Sequence, residues 1–156
     1  RKAETLAPAE VVVRPAEASD LATIVALDTE ATGLSKASYW KDRFAWYASG
    51  HRERFFLIAE HGKEPVGFIV GEVRAWEFGS PPCGWVFAID VDPRTRQKGV
   101  GSKLLAAVRE RFEHVGVRIL RTMLASDNPL ILSFFRSQGL RAGRLIPLEL
   151  EIGAPG

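Results

Sequence analysis

Apolar and polar positions recur with two different periods along this chain, and each change of period marks an element. Val11-Val12-Val13-Arg14 reads as a first strand. Leu21, Ile24 and Leu27 then share one face of a helix that Ser19 or Asp20 can cap. After Gly33, the run Tyr39-Trp40-Lys41-Asp42-Arg43-Phe44-Ala45-Trp46-Tyr47 predicts a second helix ending near Gly50. Phe55 to Ala59 and Val66 to Val73 predict two strands around the turn His61-Gly62-Lys63-Glu64. From Trp85 to Val91 the period is two, with Trp85, Phe87, Ile89 and Val91 on one face and Val86, Ala88 and Asp90 on the other. Val100, Leu104, Val108, Phe112 and Val115 return to helical spacing until Gly116 stops the element. Val117 to Leu124 predicts a further strand, Pro129 to Gln138 a helix and Leu145 to Ile152 a last strand. Hairpin and crossover connections both occur, which favours a mixed, largely antiparallel α/β sheet over a doubly wound one. Residues Arg1 to Glu10 lack large apolar groups and are expected to form a flexible tail ahead of a single domain from residue 11 to residue 153.

Composition narrows the choice of class. A chain of 156 residues with 46% hydrophobic positions has the length of one domain and can furnish a core. The net charge of +2 comes from Lys and Arg scattered along the chain, so nucleic acid is not expected as a partner. No apolar run approaches the roughly 20 residues that span a bilayer, and no charged-then-apolar leader opens the sequence, so a cytoplasmic setting without membrane contact is expected. The single cysteine, Cys83, builds no internal disulfide framework; it lies in Gly79-Ser80-Pro81-Pro82-Cys83-Gly84, which has hairpin-turn composition and no adjacent histidine to activate a thiol. His51, His61 and His114 lack metal-ligand spacing, and no metal is expected.

The chemistry concentrates between Asp90 and Leu105, where a strand exits through a basic, glycine-containing turn into an amphipathic helix. That arrangement aims backbone N–H groups at an anion. Gly99 and Gly101 carry no Cβ, so amides between Gln97 and Ser102 can crowd a pyrophosphate, while Arg94, Arg96 and Lys98 add positive charge. A Walker loop is excluded because the order is Gly101-Ser102-Lys103, and a dinucleotide fingerprint because Leu104 stands where a third glycine is needed. The other reading of the same residues is a tight strand-to-helix turn with solvated arginines.

Arg96-Gln97-Lys98-Gly99-Val100-Gly101 resembles the Arg/Gln-x-x-Gly-x-Gly/Ala signature of the GNAT superfamily of N-acetyltransferases, and it follows Ile89-Asp90-Val91-Asp92-Pro93, which is similar to that family's fourth strand and its exit. Asn128, Phe134-Phe135 and Gly139-Leu140 resemble the family's asparagine, aromatic pair and Gly-Phe ending; the likeness runs from about Val11 to Ile152. It implies a GNAT-like mixed, largely antiparallel central sheet flanked by about four helices. It also implies acetyl-CoA as cosubstrate, bound through Ile89, Val91, Arg96, Gln97, Lys98, Gly99, Val100, Gly101, Ser102, Asn128 and Phe135. The implied reaction is direct attack by a primary amine, a peptide α-amino group or a small-molecule amine, in a ternary complex of a monomer or homodimer. The Val91 backbone amide would polarise the thioester carbonyl. Independently of the resemblance, Asn128 is a good N-cap with Pro129 at the first helical position, and the phenylalanines read as core.

The sequence departs from its relatives where protons move. Phe135 stands where many of them carry a tyrosine that protonates the leaving thiolate, and Met123 and Trp85 stand where they carry a glutamate. Orientation alone can supply about 7 to 11 kcal/mol, so transfer remains possible. Without a strong base an α-amino group is the easier acceptor, because a lysine amine costs about 3 kcal/mol more to deprotonate. Glu72 and Asp90 are the replacement bases on offer; the alternative for each is a solvent-facing or arginine-paired carboxylate. Tyr39, Trp40, Trp46 and Tyr47 either wall an acceptor pocket or pack the second helix onto the sheet. The competing function is a non-catalytic acyl-CoA-binding or sensor module that kept the phosphate turn and lost its acid and base.

Overall fold

The computed structural model describes residues 10–153, with Gln97 described by its main chain alone. Apart from Glu10, the expected N-terminal tail lies outside the described residues. The chain forms two compact units, one ending at Met123 and the other beginning at Leu124.

In the first unit, a five-stranded sheet has the order β1 (Val11–Pro15), β2 (Arg54–His61), β3 (Glu64–Arg74), β4 (Cys83–Val91) and β5 (Leu120–Thr122). The first four strands are antiparallel neighbours, and β5 joins β4 in parallel. Helices α1 (Leu21–Thr32) and α2 (Ala37–Tyr47) fill the β1-to-β2 connection, and α3 (Val100–His114) crosses from β4 to β5. This is the mixed, mostly antiparallel α/β architecture expected from the order of elements. The second unit contains α4 (Pro129–Ser137).

Each face of the sheet is covered by the helices whose apolar stripe fits it. On one face Ile24, Leu27, Trp40 and Tyr47 of α1 and α2 pack with Phe56, Ile58, Phe68 and Val70. On the other lies α3, whose Val100, Leu104, Val108 and Phe112 are almost fully buried. The contact there is close enough that side chains would not fit beneath it: a Cβ on Gly84 would lie 2.5 Å from the Phe112 ring. The Trp40 ring meets Phe68 edge-on at 5.1 Å, a preferred aromatic geometry.

An ion cluster locks β1 and β2 to the start of α1. Arg14 donates to both oxygens of Asp20, at 2.7 and 2.8 Å, and to Glu60 at 2.6 Å. The Glu17 N–H donates to the same aspartate at 2.7 Å, and Asp20 is only 3% exposed. Its hydrogen bonds from Arg14, against the opposing effect of burial, hold the Asp20 carboxyl below its ordinary value. That stabilisation is complete above the unfolded value near 4 and is lost as pH falls through the lower folded value. Asp20→Asn is therefore expected to cost about 3 kcal/mol at neutral pH and to flatten the acid limb of the stability curve, read by urea unfolding at several pH values.

Four expectations are corrected. Leu145 to Ile152 forms no strand: the period-two pattern is present, but no described strand pairs with it. Ile146, Leu148, Leu150 and Ile152 stay 76% to 94% exposed, and Pro147 contributes no N–H to a ladder. The strand expected over Val117 to Leu124 contracts to β5, three residues long. The faces of β4 are not those of a regular strand. Ala88 pairs with Val70 and Val86 with Gly71, so Phe87 is an extra residue in a β-bulge. The bulge breaks the alternation. Trp85, paired with Glu72, joins Phe87, Ala88 and Asp90 on the α1–α2 face, while Val86, Ile89 and Val91 turn to α3. Cys83 begins β4 as a buried residue instead of sitting in the turn.

Candidate functional site

The pairing of β5 with β4 ends at Val86 and Thr122, where the Thr122 hydroxyl caps the Val86 carbonyl at 2.9 Å. From Phe87 to Val91, β4 has a neighbour only on its β3 side among the described residues. Strand alternation then fixes which amides face the open edge. The Asp92 N–H donates to the Val66 carbonyl of the β3 side at 2.7 Å, so the N–H groups of Val91 and Ile89 point the other way. Both residues therefore turn their N–H groups to the unpaired edge, where the Val91 N–H donates to the Asp90 carboxylate.

The open edge leads into the basic turn. A 3-10 segment, Pro93–Lys98, is capped by Asp92, whose side chain accepts from the Arg94 N–H at 3.0 Å. Gly99 joins this segment to α3 with φ of 72°, a left-handed conformation that glycine adopts without penalty. Nothing lies within 4 Å of where its Cβ would be, so the space over the turn is open. The first α3 bond shown here runs from the Lys103 N–H to the Gly99 carbonyl, so the amides of Val100 and Gly101 precede it. They face outward with the positive end of the helix dipole. Ser102 lies one residue further along the same first turn. Pro93, Arg94, Arg96 and Lys98 line a cleft of about 580 Å³. Arg94 turns its charge onto Asp92, at 2.9 and 3.0 Å, whereas Arg96 and Lys98 have no ion pair shorter than 4 Å among the described residues.

Asp90 sits between the open edge and the α1–α2 face. Burial raises its carboxyl from the ordinary 3.8 to about 6; the Val91 N–H and Arg96 oppose that rise, while the charges of Asp28 and Glu30 add to it. Glu72, the other acid expected to matter, lies in a different setting on the same face. Arg54 approaches it at 3.4 Å and Arg74 at 3.6 Å, and the Tyr47 hydroxyl bonds to it. Of the two tyrosines and two tryptophans of α2, Trp40 and Tyr47 are buried core, whereas Tyr39 and Trp46 are about half exposed.

Asp28 was missed by the sequence reading. It lies one helical turn after Ile24, on the apolar stripe of α1, and an acid in such a stripe is the signal that would have flagged it. It is 7% exposed and accepts from Trp40 Nε1 at 2.8 Å and from Lys36 Nζ at 3.1 Å. The carboxylate thereby clamps the α1–α2 connection and faces Asp90 with like charge. The bulge at Phe87 was also not legible, because it depends on pairing and not on residue type.

Asn128 and Phe135 belong to the second unit. The Asn128 side chain accepts from the Ile131 N–H at 3.2 Å as the N-cap of α4, and Phe135 is buried. Among the described residues no group of three or more His, Cys, Asp or Glu is placed to hold a metal ion, and no helix is long and apolar enough to cross a membrane.

The fold is thus a mixed, mostly antiparallel α/β sheet with an unpaired fourth-strand edge and a glycine turn at a helix N-terminus. The family model described as "Acetyltransferase (GNAT) family" matches residues 21–140, and the chain belongs to that family. It is 31% identical over 87 residues to an L-2,4-diaminobutyric acid acetyltransferase of Nocardia farcinica (strain IFM 10152), covering 56% of this chain and 44% of that protein. It is 30% identical over 95 residues to a mycothiol acetyltransferase of Sanguibacter keddieii, covering 60% of this chain and 29% of that protein. The match thus spans less than half the length of either curated relative. Among solved structures, an aminoglycoside N-acetyltransferase in complex with CoA superposes with a TM-score of 0.83 at 16% identity, over 95% of this chain and 99% of that one.

Proposed function

We propose that this protein is an acetyl-CoA-dependent N-acetyltransferase that acetylates a primary amine, with Asp90 as the proton acceptor. The observation that carries the reading is the convergence of the open β4 edge, the Gly99 turn and a carboxyl near pKa 6 within one stretch of chain. The relatives support it at the level of reaction class, since both curated matches are acetyltransferases by name.

Acetyl-CoA, when bound, supplies the activated acyl group. The residues fit it: the open space over Gly99 and the outward amides of Val100 and Gly101 would take the diphosphate, with the Gln97 and Ser102 main chain completing the turn. Arg96 and Lys98 add charge there. Ile89 and Val91 would meet the pantetheine arm and the thioester carbonyl through their N–H groups. Asp90 takes one proton from the incoming ammonium, directly or through a water; the neutral amine attacks the carbonyl carbon as the C–S bond breaks, and the departing CoA thiolate takes the second proton from the amine nitrogen, leaving the amide and the free thiol. Glu72, already held by Arg54 and Arg74, is the weaker candidate.

The test is release of free CoA thiol from acetyl-CoA in the presence of a panel of primary amines, with mass spectrometry of the acetylated product. Turnover of any member supports the enzyme. Tight acetyl-CoA binding with no amine modified replaces it by an acyl-CoA-binding module.

A further inference from the structure

The acid at the reaction centre is only one end of a longer surface on the α1–α2 face of the sheet. Three residues before Asp90, the β-bulge leaves Phe87 without a partner on β3 and keeps it on the same face as Ala88, so that face carries two successive side chains. Bulges re-aim side chains in this way beside functional sites. Phe87 is 49% exposed, at the point where β4 loses its β5 neighbour. Its ring and that of Trp85 have planes within 18° of each other and centroids 6.4 Å apart. Together they present a broad, nearly flat aromatic surface. Tyr47 stands beside Phe87 at 6.2 Å, its hydroxyl held by Glu72, and Glu72 is in turn gripped by Arg54 and Arg74. The surround is therefore fixed and its nearest carboxylate already neutralised.

We infer that Phe87 and Trp85 form the subsite for the non-reacting part of the acceptor, and that the acceptor is an arylalkylamine: a primary amine on a short arm that ends in an aromatic ring. The inference rests on the acyl-transfer reading above. The length of the arm follows from strand geometry. Three residues of β4 separate Phe87 from Asp90, about 10 Å. A ring lying over Phe87 with its amine on an arm of two to four atoms reaches the Asp90 carboxyl and the Val91 amide. Charge matches chemistry at both ends. Asp90, with Asp28 and Glu30 behind it, attracts the ammonium, while the far end offers aromatic faces and a Glu72 carboxylate paired with Arg54 and Arg74. Ring stacking rewards an aromatic body beyond what its buried area gives, which an aliphatic amine of equal length does not obtain.

The experiment compares phenethylamine with n-butylamine as acceptors for the full chain and for Phe87→Ala and Phe87→Tyr. Phe87 is half exposed, so truncation should leave the fold intact, checked by an unchanged acetyl-CoA affinity. The wild type is expected to show a KM for phenethylamine about tenfold below that for n-butylamine. Phe87→Ala should erase that preference by raising the phenethylamine KM alone, with kcat changed less than about threefold; Phe87→Tyr should keep it. Equal KM values in the wild type, or a loss in Phe87→Ala that falls equally on both amines, overturn the aromatic subsite while leaving acyl transfer in place. If no amine in any panel is acetylated, the acyl-transfer reading fails. Calorimetry of phenethylamine with the CoA-bound protein then decides the subsite by itself, and absence of binding removes it.

Discussion

Asp90→Asn is expected to lower kcat/KM for amine acetylation by about 10² to 10⁴, the range spanned by loss of a positioned general base. Asparagine keeps the shape and removes the proton acceptor. The direction of the pH effect is fixed by the raised carboxyl. In the wild type, activity should rise with pH through about 6, as Asp90 loses its proton; in the variant that limb should vanish. Stability supplies a second, independent readout. Because the folded protein holds the Asp90 proton more tightly than the unfolded chain, stability should fall as pH rises from 3.8 to about 6, and Asp90→Asn should remove that fall. A variant that keeps near-normal kcat/KM and the pH limb would take the role away from Asp90. The acetyl-CoA affinity of the variant should stay within a few-fold of normal, since the diphosphate turn does not use this side chain.

Gly99→Leu is expected to weaken acetyl-CoA binding by at least about 100-fold. The reason is steric and local. The glycine sits where the 3-10 segment becomes α3, and a Cβ there projects into open space that the protein itself does not use. A leucine fills that space and shields the amides of Val100 and Gly101. The left-handed backbone adds a folding cost of about 1–2 kcal/mol, so a control is needed. Gly116 provides one: its φ is 86°, a Cβ on it also meets nothing within 4 Å, and it follows the C-terminal end of α3. Gly116→Leu should cost similar stability and leave acetyl-CoA binding, measured by calorimetry, unchanged. Equal loss of binding in both variants would mean that strain, and not occlusion, is responsible.

The two sites illustrate how differently parts of this molecule can be read. The basic glycine turn was legible because its residues are contiguous: strand exit, basic residues, glycine and helix start follow one another, and local geometry alone orients the amides. The proton acceptor was only half legible. Asp90 could be named, but so could Glu72, and nothing in the chain order says that Glu72 meets Arg54 from the neighbouring strand β2 while Asp90 meets Asp28 from a helix more than 60 positions away.

By itself the sequence determined the alternation of helices and strands, the mixed sheet, the family and the glycine turn into α3, because periodicity, caps and glycines act over a few residues. Tertiary structure alone decided the rest. Cross-strand register created the bulge that turns Phe87 onto the Asp90 face, the early end of β5 opened the β4 edge, and the missing partner left the Leu145 to Ile152 pattern without a ladder. Hydrogen bonds between strands belong to pairs of distant segments, so no reading of one segment can assign them.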